Sequence, residues 1–153
     1  MNNIFQKLNL KNQTQIVVLN SPDSFEPELS ALRDVAIVRS LQGRSDIEFS
    51  LAFVTKQEEL FSLAKAIAVR ARGDAIIWFA YPKQTSKKYK SEINRDTGWN
   101  ILGKLGFECV RGVAIDDDWS GARFRRVEFI QKMTRDKTRA LSAEGKVRLS
   151  KKS

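Results

Sequence analysis

A chain of 153 residues with 42% hydrophobic content matches one folded core, and no second domain is expected. It contains no histidine and one cysteine, Cys109, which excludes an internal disulfide, a histidine general base and, in practice, structural zinc. The net charge is +9, but Lys132 to Ser153 holds eight lysines and arginines against Asp136 and Glu144, a net +6, which leaves +3 to residues 1–131.

The polar start MNNIFQKLNLKNQTQ lacks a charged-then-apolar export pattern, so the cytoplasm is the expected location. Gln15–Asn20 (QIVVLN) is a short apolar run closed by Ser21-Pro22 and predicts a first buried strand ending in a turn. The segment PDSFEPELSALR has room for a short helix, and Val35–Leu41 predicts a second strand. Ile47–Val54 predicts a third. Thr55-Lys56-Gln57-Glu58 then fits a capping box, with Leu60, Leu63, Ala64, Ile67 and Ala71 at helical spacing and Gly73 placed as a left-handed stop. The helix is expected over Lys56–Arg72.

Asp74–Ala80 is apolar on both faces, as a central parallel strand covered on each side would be. No apolar stretch reaches the roughly 20 residues of a membrane-spanning helix, so no membrane partner is expected. After the polar loop QTSKKYKSE a second helix is expected over Asn94–Leu105, with Trp99, Leu102 and Leu105 facing the sheet and Gly106 ending it. Phe107–Ile115 and Gly121–Glu128 predict two strands joined by a turn over Asp116–Ser120. Strands alternating with helices and then a hairpin give an α/β fold with a mainly parallel sheet of about six strands. The domain is expected over 1–131 and a polar, basic, flexible tail over 132–153.

Three motifs, Tyr81-Pro82-Lys83, NRDTGW at 94–99 and AIDDDWSGARFR at 114–125, together resemble an uncharacterised bacterial family of unknown function. The resemblance spans about Ile16 to Arg125. It implies a Rossmann-like fold similar to class I methyltransferases and carries no activity. The Lys-rich SKKYKS segment and the basic tail depart from the family pattern.

In open α/β sheets, ligands bind outside the carboxyl ends of the strands. If the fifth strand runs parallel to the fourth, Asn20 and Ser21, Tyr81 and Lys83, Arg95 and Asp96, and Asp116–Ser120 share that rim. On this reading Lys83 and Arg95 bind a small anionic ligand, oriented by Asp96 and Asp117, with Trp119 and Ser120 beside them. The alternative is structural: Lys83 and Arg95 pair with Asp96, Asp117 or Asp118 and lock the hairpin onto the helix. The consecutive aspartates read as a solvated turn, since adjacent side chains diverge and do not converge on a metal. No metal is expected. The turn after the first strand has no glycine and contains Pro22, so a dinucleotide or S-adenosylmethionine cradle is missing and neither cofactor nor catalysis is evident; S-adenosylmethionine-dependent methyl transfer stands third, behind ligand binding and nucleic-acid association. Cys109 reads as an inert buried thiol.

A separate reading makes the chain a nucleic-acid- or ribosome-associated accessory protein. Its contacts would be Lys87, Lys88 and Lys90 in the loop and Arg135, Lys137, Arg139, Arg148, Lys151 and Lys152 in the tail, holding phosphates by counterion release. Tyr89 is the lone aromatic of that loop, so base stacking has little support.

Overall fold

The computed structural model describes residues 4–94 and 98–130. Six strands form one sheet: β1 (Gln15–Leu19), β2 (Ala36–Val38), β3 (Ile47–Phe53), β4 (Ala71–Pro82), β5 (Phe107–Ala114) and β6 (Trp119–Arg126), in the order β2-β1-β3-β4-β6-β5. The first four are parallel, and β6 is antiparallel to both β4 and β5. This is the Rossmann-like, mainly parallel sheet with a terminal hairpin that the sequence predicts. Because β6 opposes both neighbours, β5 points the same way as β4, and the hairpin turn lies on the rim where β1, β3 and β4 end.

Period-two alternation divides the strand side chains between two covered faces. Val17, Leu19, Ile77, Phe79 and Tyr81 pack under α3 (Gln57–Ala68) and α4 (Asn100–Lys104), with Trp99 and Phe124. Ile16, Val18, Phe49, Phe53 and Trp78 pack on the other face against α1 (Ile4–Lys7) and α2 (Glu26–Ser30). Both faces of β4 are therefore apolar. The Trp78 indole N–H, buried with its ring, donates to the Leu8 carbonyl at 2.8 Å, which ties the N-terminal segment to the sheet.

Several boundaries differ from the sequence expectation. The first long helix ends at Ala68, not Arg72, where arginine side chains take its last carbonyls: Arg70 donates to Ala66 and Arg126 to Ala68, and Arg126 also bonds the Ala71 carbonyl at the start of β4. Gly73 does adopt φ +56, but inside a bulge of β4, where the register steps from Ile47↔Ala71 to Phe49↔Ile76. At the start of α3 the carboxylate that turns back is Glu59 and not Glu58. Its Oε1 accepts the amides of Thr55 and Lys56 and the Thr55 hydroxyl. The second helix is the short α4, and β2 is three residues long.

The expected turn Asp116–Ser120 is shorter. Asp116 Oδ1 accepts the amides of Asp118 and Trp119 at 2.8 and 2.9 Å, and the Ile115 amide bonds the Trp119 carbonyl at 2.9 Å. That closure leaves Trp119 and Ser120 in β6, paired with Pro82 and Tyr81. Residues 132–153, expected as a tail, lie outside the described residues.

Candidate functional site: a groove at the switch point of the sheet

From β1 the chain moves to one side, to β2, and from β3 it moves to the other, to β4. The carboxyl ends of β1 and β3 thus flank a topological switch point, where an open α/β sheet leaves a crevice. A groove of about 450 Å³ lies there, formed by the β1 exit (Asn20–Ser24), the β3 exit and α3 start, and an aromatic wall of Phe53, Tyr89 and Trp119.

The β1 exit is built without glycine. Asn20 takes a left-handed φ of +59, which asparagine tolerates better than most residues, and its side-chain amide donates to the Phe53 carbonyl at 3.4 Å. Ser21 then donates to Glu26 Oε2 at 2.7 Å, and Arg39, directly after β2, grips both oxygens of Glu26. The hydrogen bond from Arg39, with help from Ser21, holds the Glu26 carboxyl below its ordinary value. The β1 and β2 exits are joined by this network.

The aromatic wall is set by the hairpin turn. Asp118 accepts the Ser86 hydroxyl at 2.9 Å, and Ser86 Oγ in turn accepts the amides of Lys88 and Tyr89 at 3.3 and 3.1 Å. The Lys83 amide bonds the Asp118 carbonyl at 2.8 Å. At the far end of the same loop, Glu92 donates its amide to the Thr55 carbonyl and caps the Gln57 amide with its carboxylate. Held at both ends, the loop lays Tyr89 against Trp119 at 4.9 Å between ring centroids, and Trp119 meets Phe53 edge to face at 5.0 Å. Lys88 lies 5.5 Å over the Tyr89 ring.

Two polar groups in the groove wall have capacity to spare. Trp119 is 3% exposed, and its indole N–H has no acceptor among the described residues. An orphaned donor in so buried a side chain carries a desolvation cost unless something accepts from it. Glu59 uses Oε1 for three donors, while its Oε2 accepts no hydrogen bond from any described residue.

The residues expected to form an anion site are only partly brought together. Trp119 lines the groove, whereas Ser120, its neighbour in β6, points to the opposite face beside Tyr81, because successive strand residues alternate. Asp117 is exposed on the turn. Lys83 is half-buried on the same rim, and its ammonium pairs with none of the described residues. Arg95 and Asp96 lie outside the described residues, as do the tail positions Arg135, Lys137, Arg139, Arg148, Lys151 and Lys152. Lys87, Lys88 and Lys90 are exposed, and among them Lys88 lines the groove. Sequence reasoning passed over Phe53, Thr55, Glu59 and Ser86. The Glu59 signal was present in the acidic pair after Thr55, one residue beyond the position chosen.

No family model and no curated protein matches this chain. Solved structures do. A SAM-dependent methyltransferase from Aquifex aeolicus superposes with a TM-score of 0.58 at 14% identity, over 81% of this chain and 88% of that one. A possible exported protein from Bordetella parapertussis gives 0.56 at 9% identity, over 80% and 65%. A ribosomal protein L11 methylase from Lactobacillus delbrueckii subsp. bulgaricus gives 0.50 at 11%, over 80% and 77%. At these identities the similarity establishes the fold, a methyltransferase-like Rossmann α/β domain, and nothing finer.

Proposed function

We propose that this domain binds a small molecule in the switch-point groove and does not transfer methyl groups. The observation that carries this reading is Trp119, which lines a groove at the position where open α/β sheets take ligands and keeps a buried indole N–H with no partner among the described residues.

The groove chemistry describes the ligand. A planar portion would lie against Phe53, Tyr89 and Trp119, with an acceptor atom at the Trp119 N–H and a hydroxyl or amino donor at Glu59 Oε2. Lys88 supplies a cation for an anionic group, and Lys83 on the same rim is a second.

The β1 exit argues against S-adenosylmethionine. A nucleotide cradle needs glycine there so that backbone amides approach the cofactor, together with a free acidic group at the end of the next strand for the ribose hydroxyls. Here Asn20 and Pro22 occupy the turn, and the residue after β2 is Arg39, already paired with Glu26.

Thermal shift of the full chain against a panel of nucleosides, aromatic amino acids, phosphorylated sugars and S-adenosylmethionine tests this. We expect stabilisation by at least one planar, hydroxylated or amino-bearing compound, none by S-adenosylmethionine, and loss of the shift in Trp119→Phe and Glu59→Gln. A panel without response, or a shift unchanged in both variants, would remove the reading.

A further inference from the structure

The outer hairpin carries a second feature, remote from the groove chemistry. Arg111 of β5 and Arg123 of β6 are direct cross-strand partners, so their side chains leave the same face of the sheet. Arg125, two residues on, shares that face. Its guanidinium is already held at two points by Asp74, Nε–Oδ1 at 2.9 Å and Nη2–Oδ2 at 2.7 Å. Glu108 lies opposite Arg125, so the carboxylates of this face gather at the Arg125 end.

Arg111 and Arg123 are left without an acceptor among the described residues. Arg111 is exposed; Arg123 is half-buried, and its Nε is sealed from solvent with no hydrogen-bond partner. Burial first, then the Arg125 charge, holds the Arg123 guanidinium below the usual arginine range; Asp74 offsets part of this, and Arg111 adds to the depression. Like charges directly opposite across a strand pair destabilise it, as does a buried donor left unpaired. An oxyanion between the two guanidiniums relieves the repulsion, since their terminal nitrogens present donors that fit phosphate.

We infer that Arg111 and Arg123 clamp a backbone phosphate of double-stranded nucleic acid. Charge complementarity favours a polymer over a free anion: Arg111 is exposed on the outer strand β5, and the sequence from Lys132 to Ser153 carries a net +6. The aromatic residues of this face, Trp78 and Trp119, are buried, so bases have no stacking platform here and contact is confined to the backbone.

The test is fluorescence anisotropy of the full chain with a labelled duplex of mixed sequence, titrated at several salt concentrations. Arg111→Ala/Arg123→Ala is expected to weaken binding about tenfold or more and to lower the salt slope by about 1, the value for one phosphate contact. Lys151→Ala/Lys152→Ala removes the same charge and is expected to have the smaller effect. Arg111→Lys/Arg123→Lys retains charge but not the fork and should fall between wild type and the alanine pair; it carries the test if the alanine variant fails to fold by circular dichroism. Absence of duplex binding, unchanged affinity in a folded double variant, or equal losses in the two alanine pairs would overturn the proposal. So would stabilisation by inorganic phosphate through these arginines without duplex binding, which would mark a small-anion site.

Discussion

Arg39 grips Glu26 at both carboxylate oxygens, with Nη2–Oε1 at 2.8 Å and Nη1–Oε2 at 3.1 Å, and so joins the end of β2 to the helix that follows β1. The pair is solvent-accessible, so its effect is modest and screened by salt. Its pH dependence has a definite sign. Glu26 is held below its ordinary 4.5 in the folded chain, so its contribution is present above that value and fades as pH falls through the lower, folded value. Glu26→Gln should therefore be less stable than wild type near neutrality, with the difference closing under acid. Urea midpoints measured in both regimes check this, and a difference independent of pH contradicts it.

Gly121 is a packing constraint. A Cβ there would meet Trp78 Cε3 at 3.2 Å and Ile115 Cδ1 at 3.3 Å, and Trp78 is fixed by its bond to Leu8. Gly121→Ala is expected to destabilise the fold by about 1–3 kcal/mol through overpacking. Chemical denaturation measures it; a neutral or stabilising result would show that the indole has room to shift.

Ser86 is the hinge between the hairpin turn and the aromatic wall. Ser86→Ala removes the bond to Asp118 and the acceptor for two amides, at a cost of about 0.5–1.5 kcal/mol for each bond lost without replacement. Hydrogen exchange should accelerate at the Lys88 and Tyr89 amides in particular, with the strands unchanged. Uniform acceleration across the sheet would assign Ser86 a global role instead.

Arg111→Thr should stabilise the free protein by about 0.2–1 kcal/mol, because it removes a like charge facing Arg123 and places a good strand former on the edge. The gain should shrink as salt is added. A loss of stability that salt does not alter would show that the Arg111 stem contributes packing.

The centre of the sheet was legible in the sequence because β1, β3 and the buried part of β4 are runs of mainly apolar residues too short for a helix and bounded by turn residues. Alternation such as Ile16/Val17 or Trp78/Phe79 distributes side chains to two faces without tertiary information. Helix ends were not legible, since the groups that close α3, Arg70 and Arg126, act through side-chain reach and, for Arg126, from 58 positions away. The candidate site was half legible. The rim and Trp119 followed from topology, but the assignment of Ser120 to the same site missed how far Asp116 tightens the turn, which moves both residues into β6. The role of Tyr89 was hidden in a lysine-rich loop, because its environment comes from Ser86 and Asp118, residues separated by 32 positions.

β6, the last strand of the described residues, lies inside the sheet, and β5 joins it through β6 alone. During synthesis, then, β4 keeps an unpaired edge and β5 has no place to dock until residue 126 has been made. Four parallel strands with one open apolar flank precede the strand that seals them. The step that completes folding is therefore an insertion, and variants that slow it, such as a bulkier residue at Gly121, should leave a nascent chain exposed to chaperone capture or aggregation.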